Sequence, residues 1–117
     1  MRQDLELVRD AWLDAFYRGD VAVLRQYEHA QLQIIYQDRG RVESSLNRYD
    51  QIAHAVQNAV WKPQKPAVAA EEFEFDEQST RCTVYLKSDQ DQVLIQELWH
   101  FSSTWTLLEL RFFQSKN

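Results

Sequence analysis

Residues 93–114 read VLIQELWHFSSTWTLLELRFFQ. Two long runs of apolar, aromatic and β-branched residues flank the small polar group Ser102-Ser103-Thr104. Such runs, parted by so short a break, predict two antiparallel strands, Val93 to Ser102 and Trp105 to Gln114, joined by a hairpin. If the turn takes three residues, Glu97 opposes Glu109 and Arg111 opposes Ile95, and these charges share a face with Trp99 and Trp105. A two-residue turn would separate Glu97 from Glu109.

The pattern continues upstream. Arg81 to Lys87 sets Cys82, Val84 and Leu86 against Thr83, Tyr85 and Lys87. Val68 to Asp76 sets Phe73 and Phe75 against Glu72, Glu74 and Asp76. Alternation of period two marks half-buried strands. Short polar loops make an antiparallel meander the simplest connection of the four.

Before Pro63 and Pro66 the period changes. Leu5, Val8, Trp12, Ala15 and Phe16 form one helical stripe, with Glu6, Arg9, Asp10, Asp14 and Arg18 mostly on the other side. Gly19 is a left-handed stop, and Asp20 caps a short second helix carrying Val21, Leu24 and Tyr27, with His29 at its end. Gln31 to Gln37 alternates as a strand. Asp38-Arg39-Gly40 is a turn, and Arg41 to Ser44 a short strand. Asn47 and Asp50 predict the start of an amphipathic third helix whose apolar side carries Tyr49, Ile52, Ala53, Val56, Ala59 and Val60. A sheet with helices on one face satisfies these patterns, and strands of this length must bend, which leaves room for a cavity between the layers.

This order resembles the nuclear transport factor two-like superfamily, which includes ketosteroid isomerase and the SnoaL-type cyclases. Residues 11–20, AWLDAFYRGD, look like the family's first helix with its Gly-Asp end. Residues 36–40, YQDRG, look like its first hairpin turn, and Leu98-Trp99-His100 followed by Trp105 looks like its closing hairpin, without the usual glycine. The resemblance implies one domain over residues 1–117. Its fold would be a cone-shaped α+β fold of three N-terminal helices on a bent, mainly antiparallel sheet, with a pocket between the layers and homodimers through the outer sheet face. It implies no single activity, because the family holds isomerases, dehydratases, cyclases, hydrolases and non-catalytic adaptors.

The isomerase pattern needs a tyrosine on the first helix and a carboxylate on the first hairpin. The matching positions lie near Trp12 and Gln37, neither of which can take those roles. Asp38 is adjacent, as a base or as the Asx residue of the turn. Glu97, Glu109 and Arg111 could hold a polar ligand or exchange protons if their face lines the pocket; on the outer face they are surface or interface charges. His100 is a candidate base or a hydrogen-bonded strand histidine, and Tyr85 depends on the same register. His54 lies on the third helix, at the pocket border or in solvent. Trp12, Phe16, Tyr36, Trp61 and Trp99 are the rings placed to wall a cavity for a small, partly apolar molecule, or to fill it.

Other classes are less compatible with the chain. The three histidines lack metal-ligand spacing, the two glycines form no phosphate loop, and no cofactor is expected. Cys82 reads as a small buried hydrophobe, and a single cysteine excludes an internal disulfide. A net charge of −5, with scattered basic residues, opposes nucleic-acid binding. No stretch approaches the roughly 18 apolar residues of a membrane span, and Met1 to Asp10 lacks a signal-peptide core, so the expected location is the cytoplasm. Three functions remain open: a dimeric ligand-binding domain, an isomerase, dehydratase or cyclase, and an association module.

Overall fold

The computed structural model describes residues 2–113. Three helices, α1 (Arg2–Arg18), α2 (Val21–Tyr27) and α3 (Ser45–Gln57), accompany six strands: β1 (Glu28–Tyr36), β2 (Arg41–Ser44), β3 (Ala70–Phe75), β4 (Arg81–Lys87), β5 (Val93–Ser102) and β6 (Thr104–Phe112). The strands form one sheet in the order β2-β1-β6-β5-β4-β3. Only the β1–β6 junction is parallel; the meander from β3 to β6 is antiparallel throughout. The result is the expected cone-like α+β arrangement. Among the described residues no helix is long and apolar enough to cross a membrane.

The core lies between the helices and one face of the sheet. Leu5, Trp12 and Ala15 of α1, Leu24 of α2 and Tyr49 and Ile52 of α3 meet Ile34, Val84, Trp99 and Leu107 from the strands. Trp12 and Trp99 pack edge to face with centroids 5.5 Å apart. Cys82 is fully buried among these residues, as its alternation with Val84 and Leu86 predicts.

Gly19 ends α1 in a left-handed conformation (φ 72°), where Asp20 N–H donates to Ala15 O and Gly19 N–H to Phe16 O. The same turn sits against α3 and the segment that follows it. A Cβ at Gly19 would overlap Val56 Cγ2 and lie 2.8 Å from Trp61 Cδ1. Gly19→Ala is therefore expected to destabilise the protein by roughly 2–4 kcal/mol, from left-handed strain plus overpacking. Urea denaturation checks this, and a loss below about 1 kcal/mol would show that the junction yields.

Several boundaries differ from the sequence reading, each for a local reason. Strand β1 starts at Glu28, so His29 belongs to a strand and not to the end of α2. Glu28 is already extended (φ −106°, ψ 133°), and its side chain is drawn inward by three donors described below. Ser44, not Asn47, caps α3 by accepting from Asn47 N–H at 3.3 Å. The helix stops at Gln57 because Ala59 turns left-handed (φ 57°), which removes Ala59 and Val60 from it. Strand β3 is shorter than Val68 to Asp76, and Gln114, assigned to the last strand, lies outside the described residues. Arg9, read as part of the solvent side of α1, is 3% exposed.

The closing hairpin carries the main correction. Its register follows the three-residue turn from Ser102↔Thr104 to Trp99↔Leu107, then slips, because the next pair is Leu98↔Glu109. Leu108 is thus an extra residue in β6, a bulge that bends the strand and reverses its face. Glu97 consequently opposes Leu110, not Glu109, while Arg111 opposes Gln96, not Ile95.

Candidate functional site

A cavity of about 780 Å³ opens between α1, the hairpin of β1 and β2, residues 63–68 and the inner face of the sheet. Buried residues mark its floor: Trp12, Arg48, Leu86, Glu97 and Leu110. Half-buried Leu13, Phe16, Tyr17, Tyr36, Ile95 and Phe112 form the walls, with Tyr36 and Phe112 stacked at a 5.5 Å centroid distance. Exposed Asp14, Arg39, Gln64 and Lys65 mark the rim. The segment carrying Gln64 and Lys65 is tied at both ends. Trp61 Nε1 donates to Phe16 O at 2.8 Å, and Ala69 N–H donates to Lys87 O at 2.8 Å.

Two buried carboxylates support the floor. Glu97, with a side chain 1% exposed, accepts from Arg9 Nε at 2.6 Å, Arg9 Nη2 at 2.9 Å and Trp99 Nε1 at 2.7 Å. Arg9 also reaches Glu71, at 3.2 Å. Burial alone would weaken the Arg9 charge, but Glu97 and Glu71 outweigh it and hold the guanidinium above its ordinary range. Glu28 has a side chain with no exposure, and accepts from Tyr49 Oη at 2.5 Å, Trp12 Nε1 at 2.7 Å and Arg48 Nη1 at 3.2 Å. Burial first, then the bond to Glu28, push the Tyr49 phenol up and keep it a donor. Each carboxylate therefore faces three hydrogen-bond donors, two of them on the Arg9 guanidinium for Glu97 and one on the Arg48 guanidinium for Glu28.

The structure separates the residues singled out in the sequence. Trp12, Phe16 and Tyr36 line the cavity. Trp61 does not; it stands behind Phe16, ring against ring at 5.2 Å. Trp99 is fully buried beneath Trp12 and has no surface on the cavity. Glu97 reaches the floor, whereas Glu109 and Arg111 lie on the opposite sheet face, paired with each other at 2.9 Å. Arg111 also donates to Gln37. His100 lies on that outer face between Arg81 and Thr106, and its Nδ1 has no hydrogen-bond partner among the described residues. Tyr85 is on the same face, between Glu72 and Gln96. Asp38 is exposed on the turn Gln37–Arg39, outside the cavity lining. His54 is exposed on α3, and His29 Nδ1 accepts from Gln31 N–H at 3.0 Å. Among the described residues no group of three His, Cys, Asp or Glu side chains is placed to hold a metal ion.

The sequence reading gave no part in the site to Arg9, Glu28, Arg48 or Tyr49, although it set Tyr49 on the apolar side of the third helix. One signal was available, because Arg9 follows Leu5 by four residues and precedes Trp12 by three, which puts it on the buried stripe. Arg48 likewise precedes Ile52 by four.

Cys82 has no access to the cavity. Burial pushes its thiol up to about 11. A folded-state value raised above the unfolded one contributes stability that is intact below the unfolded value and lost as pH rises through the folded one. Stability is thus expected to fall between about pH 9 and 11. At neutral pH the native thiol is expected to resist an aromatic disulfide reagent until urea unfolds the chain. Rapid labelling of the native protein would contradict the burial.

No sequence-family model matches the chain, and no curated protein matches it in sequence. Solved structures do match in fold. A nuclear transport factor two-like protein from Cytophaga hutchinsonii superposes with a TM-score of 0.71 at 13% identity, covering 95% of each chain. A suspected ketosteroid isomerase from Shewanella frigidimarina gives 0.61 at 16% identity over 91% of each chain. The CaMKII hub homology domain of Chlamydomonas reinhardtii gives 0.69 at 10% identity over 98% of each chain. The fold is therefore the nuclear transport factor two-like fold, and the resemblance read in the sequence holds at that level.

Proposed function

We propose that this chain is a small-ligand-binding domain that receives a partly apolar molecule between its helices and sheet, and that it acts as a homodimer. The observation that carries the reading is the cavity itself. Its volume, about 780 Å³, lies within the range of small-molecule sites, and aromatic and aliphatic side chains dominate its walls. An association module with a vestigial pocket would have its rings filling this space, yet Trp61 and Trp99 pack behind the wall. Acid–base catalysis draws little support, because Glu97 and Glu28 are each committed to three donors. Dimerisation draws support from the outer sheet face, where Val42, Ile35 and Leu98 stand among Arg111, Gln96 and Tyr85.

A thermal-shift series with uncharged bicyclic aromatics tests the binding. Stabilisation should rise with concentration as a single site requires, by about 2.7 kcal/mol at one hundred times the dissociation constant. No shift across the series would remove the support. Light scattering at micromolar concentration is expected to give the mass of two chains; one chain's mass would contradict the dimer.

A further inference from the structure

The charges around the cavity are unequally satisfied. Its lining holds two carboxylates, Asp14 and Glu97, and three cations, Arg39, Arg48 and Lys65. Each carboxylate has its own cation elsewhere: Arg18 lies 2.8 Å from Asp14, and Arg9 lies 2.6 Å from Glu97. Arg48 is likewise matched by Glu28 at 3.2 Å. Arg39 and Lys65 differ, since neither has a carboxylate within ion-pair distance among the described residues. The Lys65 ammonium lies 5.3 Å from the Tyr17 ring centre, on the cavity wall. Both cations stand at the rim, where water still reaches them, and below them the space is walled by apolar rings.

Building on the ligand-binding reading, we propose that the site takes a monocarboxylate with an apolar body. The carboxylate sits at the rim between Arg39 and Lys65, and the body enters against Trp12, Tyr36 and Ile95. An anion left at the rim keeps much of its hydration, so it gains the attraction of two cations without the cost of burying a charge. The net charge of −5 does not reverse this, because at physiological salt distant charges are screened beyond about 8 Å whereas the two rim cations border the cavity itself. A neutral ligand of the same shape forgoes the attraction, and a cationic one meets repulsion.

Calorimetric titration of the whole chain with decanoate, decanol and decyltrimethylammonium isolates the head group on a constant tail. Decanoate is expected to bind about fivefold or more tightly than decanol, an advantage that shrinks as salt is raised. In the exposed double variant Arg39→Gln, Lys65→Gln the ratio of decanoate to decanol affinity should fall to about one. Equal affinities in the wild type, or a preference for the ammonium, would overturn the carboxylate and leave the cavity as a neutral-ligand site. Absence of binding by all three would overturn both the carboxylate and the ligand-binding reading.

Discussion

Arg9→Met is expected to cost about 3–5 kcal/mol of stability, because it strands Glu97 as an unpaired charge in the interior. Glu97 has a side chain 1% exposed and takes two of its three hydrogen bonds from Arg9, at 2.6 and 2.9 Å. Trp99 Nε1 cannot balance the charge alone. Methionine keeps much of the arginine stem's volume, so the change reports charge more than packing. At roughly 4 °C per kcal/mol for a domain near this size, the midpoint should fall by about 12–20 °C. The pair is not expected to be worth that much by itself. Arg9→Met combined with Glu97→Leu removes both charges and should recover part of the loss, since an apolar pair of similar volume often matches a buried ion pair. Trp99 Nε1 and exposed Glu71 would limit the recovery. A double variant no better than Arg9→Met would mean that packing around Trp99, and not the stranded charge, causes the loss.

Glu28→Ala should be of similar severity, about 3–5 kcal/mol, by the opposite imbalance. Its carboxylate receives Trp12 Nε1, Arg48 Nη1 and Tyr49 Oη at 2.7, 3.2 and 2.5 Å. Alanine leaves a buried guanidinium without its counterion and two further donors without an acceptor. Glu28→Gln keeps an acceptor oxygen in place and should cost less. Trp12 and Arg48 are also floor residues of the cavity. The glutamine variant should therefore weaken ligand binding even where it remains folded. A glutamine variant with wild-type stability and wild-type binding would show that the carboxylate orients neither group.

Much of the fold was legible because its signals are local. The alternation of Cys82, Val84 and Leu86, the Gly19-Asp20 stop and the change of period at the two prolines each follow from neighbouring residues. The closing hairpin was legible as far as Trp99↔Leu107. Beyond it, one bulged residue, Leu108, moved Glu109 and Arg111 to the other face, because a strand's side-chain period is two and one extra residue reverses everything after it. Neither Leu107 nor Leu108 carries a glycine-like mark that announces a bulge. The buried carboxylates were illegible for a different reason. Apart from Trp99, two residues from Glu97, the partners of Glu28 and Glu97 lie 16 to 88 positions away along the chain, so no window of sequence holds both halves of the arrangement. Arg9 shows the middle case, since its spacing from Leu5 and Trp12 was present but its charge argued for solvent.

The nuclear transport factor two-like fold explains where the cavity lies, but its occupant depends on the side chains that line it. Titration of the uncharged fluorophore N-phenyl-1-naphthylamine into the wild type and into Ile95→Trp, which fills the wall, shows whether the cavity takes a ligand. Saturable fluorescence enhancement is expected in the wild type and is lost in the filled variant while that variant remains folded. No saturable binding, or binding that Ile95→Trp leaves unchanged, would contradict a ligand site between the helices and the sheet.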